Sequence, residues 1–348
     1  MSALAAASWP RDDGDRERLM VVEPSSGAIE HARVGDLPRW LSAGDVCVVN
    51  DAATWPASLH GTVATGDAIE IRLLARDDDR TFRAVLFGAG DWRTRTEDRP
   101  APPRIDRATA ARFRGVTATL APSDAHARLI RVRFDDAPDL TARLFRAGKP
   151  VQYAHVRDAL SLFHVQTAWA SRPWSFEMPS AGRPLTWSTL SAIRARGVTL
   201  ARVTHAAGLS STGDEALDAL LPLDERYAIP EETIDAIARA REGGGRVLAI
   251  GTTVVRALEG AFADRGALRA GEGVTSLRIG PGFRPRVVDG LLTGMHEPGT
   301  SHARLMAAFA PAALLDRAFG EARERGYVGH ELGDSTLVWP ATSTRSRP

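Results

Sequence analysis

The stretch RVLAIGTTVVRALEG, Arg246 to Gly260, decides the fold class, because an apolar run of strand length enters Gly-Thr-Thr and leaves at once in a helical pattern. A strand that feeds a helix through a small polar turn leaves backbone N–H groups unpaired at the helix start, with hydroxyls beside them. Two readings stay open here. Gly251, Thr252 and Thr253 receive an anionic group, or one of the threonines simply caps the helix.

Outward from that turn the same rhythm repeats. LTWSTLSAIRARG is framed as a helix by Thr/Ser at its start and Gly197 past its end, VTLARVTHAA follows as a strand, and IPEETIDAIARAREGGG has Pro230 at a helix's first turn, acids behind it and a glycine stop. Beyond the opening stretch come VTSLRIGPG, VVDGLLTG, helices from about Ser301 and from Pro311, and a last strand STLVW. Alternating helix and strand predicts an α/β main domain.

Residues before this region read differently. RLMVV, DVCVVN, AIEIRLL, FRAVLF, VTATLA and ARLIRVRF are short apolar runs separated by Gly, Pro and Asp turns. Only Arg107 to Phe113 and Leu140 to Ala147 look helical in this block, which predicts a small β-barrel or sandwich. The expected organisation is a mixed-sheet α/β domain from residues 1–64 and 150–340, an inserted β-barrel from 65–149, and a disordered tail at 341–348.

The totals exclude several classes. Basic and acidic residues number 44 and 43, so no strong overall charge marks a polyanion binder, and any such site is a local patch. The lone Cys47 sits in an apolar run and forms no internal disulfide, the N-terminal segment lacks an export leader, and no run reaches the roughly 20 apolar residues of a membrane span. A cytoplasmic enzyme without membrane contact fits. Histidines and the cysteine show no metal-site spacing, so no metal is expected, and no dinucleotide, P-loop or nucleophile-elbow motif is found.

Two polar clusters stand out. Between Asp91 and Arg114, seven arginines face four acids, which makes either a phosphate-contacting loop or a solvated one. VVDGLLTGMHEPGTS, Val287 to Ser301, gathers Asp289, Thr293, His296, Glu297, Thr300 and Ser301 where a strand gives way to a helix, the place where α/β proteins put chemistry. The alternative has Asp289 and Thr293 satisfying backbone groups and Ser301 capping the next helix.

In order, RLMVV, GDVCVVND, Pro56-Ala57, PSAG (179–182), RVLAIGTTVVRALE, PGF (281–283), VVDGLLTGMHEPGTS, LMAAFA and Gly333-Asp334 resemble the landmarks of the S-adenosylmethionine:tRNA ribosyltransferase-isomerase family of queuosine biosynthesis, over nearly the whole chain. The resemblance implies an α/β domain with an inserted barrel and S-adenosylmethionine as co-substrate, without a metal. It implies tRNA as partner and a monomer. The family moves the ribosyl group of S-adenosylmethionine onto the aminomethyl group of a 7-deazaguanine in tRNA, rearranges it to an epoxycyclopentanediol, and releases adenine and methionine. A sulfonium acidifies the adjacent C5′ hydrogens, so a base starts the reaction and a proton donor helps adenine leave. His296 and Asp289 are the catalytic candidates. Gly251, Thr252, Thr253, Arg256, Ser180, Gly182, Glu225, Pro281, Gly282, Thr293 and Ser301 are the substrate-binding candidates.

The chain departs from the family pattern at Ala52, Ala53 and Ser58, where Thr-Arg and an Arg are usual, at Arg183 to Leu185, at AAGLSST (206–212) with His205 displaced by one place, and at LLPL (220–223). These changes leave two further functions open: a paralogue that uses a small-molecule acceptor, and an inactive S-adenosylmethionine- or RNA-binding protein.

Overall fold

The computed structural model describes residues 3–340; the expected tail at 341–348 lies outside the described residues. A nine-stranded mixed sheet carries the main domain, in the spatial order Gly271–Thr275, Glu225–Ile229, Thr199–His205, Val46–Asn50, Val247–Ile250, Gly290–Gly294, Ser335–Val338, Arg18–Val22 and Ile29–Arg33. The four strands from Thr199–His205 to Gly290–Gly294 in that order are mutually parallel, and antiparallel partners flank them.

Burial explains why this centre is parallel. Val46–Asn50 and Val247–Ile250 are buried at every position, as strands covered on both faces must be. Val46, Val48 and Ala249 point into one apolar layer with Val254, Leu258 and Ile237, whereas Cys47, Val49, Leu248 and Ile250 point into the other with Leu190 and Ile193. That split is the period-two alternation of a strand. Cys47 is accordingly a core residue.

The inserted module is a closed, wholly antiparallel barrel of Val116–Pro122, Leu129–Phe134, Thr81–Phe87, Ala68–Arg76, Ser58–Val63 and Thr109–Phe113. Its first strand begins at Ser58, ahead of residue 65. Ser58 and Lys149 exchange two backbone hydrogen bonds of 2.9 and 2.8 Å, so the chain enters and leaves the barrel at one neck. The interior is filled by Ile71, Leu73, Phe82, Leu86, Val132 and Phe134.

Thr109–Phe113 corrects an expectation: the alanine-rich segment from Arg107 is a strand, not a helix. It lies between two barrel strands, and pairing there overrides local helix propensity. Leu140–Ala147 is helical as read.

Candidate active site at the carboxyl ends of the parallel strands

Asn50, His205, Gly251 and the segment after Gly294 arrive together at the carboxyl ends of the four parallel strands, since Val203 pairs with Asn50 and Ile250 with both Val49 and Leu292. Asn50 ties three of them. Its Nδ2 donates to the His205 carbonyl at 3.0 Å and to Thr253 Oγ1 at 3.2 Å, and its Oδ1 accepts from the N–H groups of Ala52 and His205 at 3.0 Å each.

Gly251 has φ 99° and ψ 152°, a backbone shape almost reserved for glycine, and it turns Val247–Ile250 into the helix Thr252–Arg265. Neither threonine caps that helix; Gly251 holds the cap position without a side-chain bond. A Cβ on Gly251 would lie 3.5 Å from Ala181, so the Ser180–Gly182 turn packs directly across from it. Gly182 is itself required small, by the Trp169 ring against it.

One turn into the helix, Arg256 is buried and its Nη1 lies 2.8 Å from Glu225 Oε2. Its Nε and Nη2 lack a hydrogen-bond partner. His205, with no exposed surface, places Nε2 3.3 Å from the same carboxylate, and both of its ring nitrogens lack hydrogen-bond partners. Burial, reinforced by Arg256, pushes the His205 pKa well down, so the ring is neutral. Burial pushes the Glu225 carboxyl up, and the Arg256 charge and the Gly208 N–H oppose it.

The loop 206–212 connects this cluster to a second carboxylate. Gly208 N–H donates to Glu225 at 3.1 Å, and Ser210 N–H donates to Glu177 at 3.0 Å. Tyr153 hydroxyl also donates to Glu177. Burial raises the Glu177 carboxyl to about 7; the Tyr153 bond lowers it and the Glu331 charge raises it.

His296 lies past the end of strand Gly290–Gly294. Its Nε2 is 2.7 Å from Thr293 Oγ1, and its ring stacks on His302 with centroids 4.6 Å apart and planes 15° apart. Burial, then the neighbouring His302 and His330, pushes the His296 pKa well below the usual imidazole range. His302 is lowered too, by burial first. A cavity of about 180 Å³ opens beside His296, with Met20, Met295, Met306, Phe319 and Pro281 in its wall.

Asp289 is not brought to this place. It precedes Gly290–Gly294, at the amino end of the parallel strands, where its Oδ2 accepts from Val247 N–H at 2.8 Å and lies 3.0 Å from Arg241 Nη1. At roughly 3.3 Å per extended residue, the four steps to Thr293, whose hydroxyl the His296 ring contacts, hold Asp289 about 13 Å from that place. Its pairing with His296 as a catalytic couple is therefore corrected: it clamps the far edge of the sheet. Ser301 is not the cap of its helix either, because Thr300 Oγ1 accepts the Ala303 N–H at 3.2 Å. Pro281 and Gly282 are exposed, with Pro281 at the cavity beside His296.

Sequence reading missed Glu177, Tyr153 and His302 as site residues. His302 follows the motif by one position, whereas Tyr153 and Glu177 lie in a segment without periodicity. Four of the seven arginines in the arginine-rich stretch are paired, Arg93 with Asp91, Arg95 with Glu97 and Arg104 with Asp106 at the surface, and buried Arg99 with Glu70. Burial of Glu70 is outweighed by Arg72 and Arg99, which hold its carboxyl down at about 2.

A mixed α/β sheet with a barrel looped out of it carries its polar cluster at the carboxyl ends of the parallel strands, the place where α/β enzymes hold their ligands, and the family it matches makes it a transferase. The chain belongs to the family described as queuosine biosynthesis protein, which it matches over residues 2–338. It is 35% identical over 340 residues to the S-adenosylmethionine:tRNA ribosyltransferase-isomerase of an Anaeromyxobacter species, covering 95% of each chain. The enzyme of the same name from Thermus thermophilus is 34% identical over 335 residues, 93% of each chain. The fold is also that of a solved S-adenosylmethionine tRNA ribosyltransferase from Thermotoga maritima, with a TM-score of 0.53 and 24% identity over 97% of this chain and 98% of that one. No helix among the described residues is long and apolar enough to cross a membrane.

Proposed function

We propose that the protein transfers and isomerises the ribosyl group of S-adenosylmethionine onto a 7-aminomethyl-7-deazaguanine in tRNA, giving epoxyqueuosine with release of adenine and methionine. The observation that carries the reading is His296: a neutral imidazole, held by Thr293 just past the carboxyl end of strand Gly290–Gly294, at the wall of an apolar cavity. A neutral ring can accept the C5′ proton that the sulfonium acidifies. The methionine carboxylate binds at the start of Thr252–Arg265, where the first N–H groups have no intrahelical acceptor and Arg256 supplies the unpartnered Nε and Nη2. Glu177, whose carboxyl burial raises to about 7, takes the second catalytic place that Asp289 does not reach, as the donor to departing adenine. Of the departures, Ala52 and Ser58 are buried and Ala53 is half-buried; Ser58 Oγ donates to Glu70 at 2.6 Å, on which Arg72 and Arg99 converge.

The test is incubation with S-adenosylmethionine, with and without tRNA bearing the modified base, followed by mass spectrometry. Adenine, methionine and modified RNA should appear together only when that tRNA is present. Release of adenine with a small-molecule acceptor alone would replace tRNA as substrate. Binding without turnover would reduce the protein to a sensor.

A further inference from the structure

The expectation that no metal binds rests on spacing along the chain, which is blind to residues that meet only in the fold. His155 follows the barrel neck, His330 and Glu331 lie just before strand Ser335–Val338, and their ligand atoms all come within 4.8 Å of one another. We propose that these three side chains form a binding site for a divalent transition metal of the zinc class, beside the Tyr153–Glu177 pair and near His296.

The His155 Nε2 to Glu331 Oε2 distance is 3.4 Å, longer than a good hydrogen bond. Two ligand atoms each about 2.0 to 2.1 Å from a tetrahedral ion are separated by roughly 3.4 Å. His155 Nε2 is buried and makes no hydrogen bond, which a metal would remedy. The His155 and His330 rings are tilted against each other, with centroids 4.4 Å apart and planes 31° apart.

The backbone supports this placement. His330 has φ 67°, one of two described residues other than glycine in the left-handed region. The loop that holds it is fixed by the close approach of Gly333 to Gly329, by the Gly333 N–H bond to the His330 carbonyl at 2.9 Å, and by Asp334, which accepts from Arg11 at 2.6 Å and Arg18 at 2.8 Å. On the other side, Tyr153 lies parallel to the His155 ring, with centroids 6.2 Å apart. Two imidazoles and one carboxylate suit zinc, cobalt, nickel or iron rather than magnesium or calcium. Three protein ligands leave a position for water or another ligand, and the exposed His330 gives the ion a way in.

The test uses the full chain stripped with a chelator and then titrated with zinc against a chromogenic competitor. Cobalt is titrated in parallel and its visible absorption recorded. One ion per chain is expected, with a tetrahedral or five-coordinate cobalt spectrum. His330→Gly, which tolerates the local backbone, and Glu331→Gln should each weaken zinc by about 100-fold or more. His126→Ala, at a histidine beside Asp214 in a different part of the fold, should leave binding unchanged. Circular dichroism confirms that each variant is folded. Absence of zinc binding at micromolar concentrations, or equal binding by wild type and folded His330→Gly, overturns the proposal.

Discussion

The two ends of the central parallel strands carry similar residues and use them in opposite ways. At the amino ends, Asp45 accepts from Arg246 N–H at 2.8 Å and pairs with the Arg246 guanidinium at 3.0 Å, while Asp289 joins Val247 and Arg241. At the carboxyl ends, His205, Glu225 and Arg256 are buried with several polar atoms lacking hydrogen-bond partners. Buried polar groups are normally satisfied, because leaving one unpaired costs about 1–3 kcal/mol. The satisfied end holds the sheet together, and the unsatisfied end fits the ligand contacts proposed for it.

Substitution should separate the ends most sharply at His296. His296→Ala should lower kcat for adenine release by about 10²- to 10⁴-fold with a near wild-type melting curve. Asp289→Asn should do the reverse. Steady-state kinetics on both variants breaks the comparison if Asp289→Asn abolishes turnover while stability is kept.

Glu225→Ala leaves Arg256 buried without its partner, and breaking a buried pair in this way costs about 3–5 kcal/mol. Denaturant unfolding measures it. Saturating S-adenosylmethionine should recover part of the loss if its carboxylate replaces that of Glu225. For Asp289→Asn the expected loss is smaller, about 1–3 kcal/mol, because Arg241 is partly exposed and regains solvent.

A further effect is a slope. Folding raises the Glu177 carboxyl from 4.5 to about 7, so between these values the folded state holds a proton that the unfolded state has released. Stability therefore falls as pH rises through that window, and the contribution is fully present only below it. Glu177→Gln should flatten this dependence, bringing melting temperatures at about pH 5 and about pH 8 closer together. An unchanged slope would move the titrating group elsewhere.

How far the sequence reveals these ends depends on distance along the chain. VLAI, GTT and the helix after it are legible because one local pattern contains strand, turn and helix. His296 and Thr293 are legible for the same reason, three residues apart and hydrogen-bonded. Asp289 misleads because the motif that contains it runs along an extended strand: closeness in sequence becomes separation in space. His205, Glu225 and Arg256 meet from two strands and a helix, and nothing periodic marks their meeting. The segment from Arg107 misleads for another reason, since its strand exists only through pairing with its neighbours in the barrel.

The neck at Ser58 and Lys149 also has a consequence for the order of synthesis. All six barrel strands lie between its two sides, so the barrel is complete once that continuous stretch has emerged. Val46–Asn50, made earlier, must wait for Thr199–His205 and Val247–Ile250 before it has a neighbour on either side. Domains generally fold as units as the chain is made, and non-local pairings form slowly. The barrel can thus fold as a finished piece on a nascent chain whose strand Val46–Asn50 still lacks both of its neighbours.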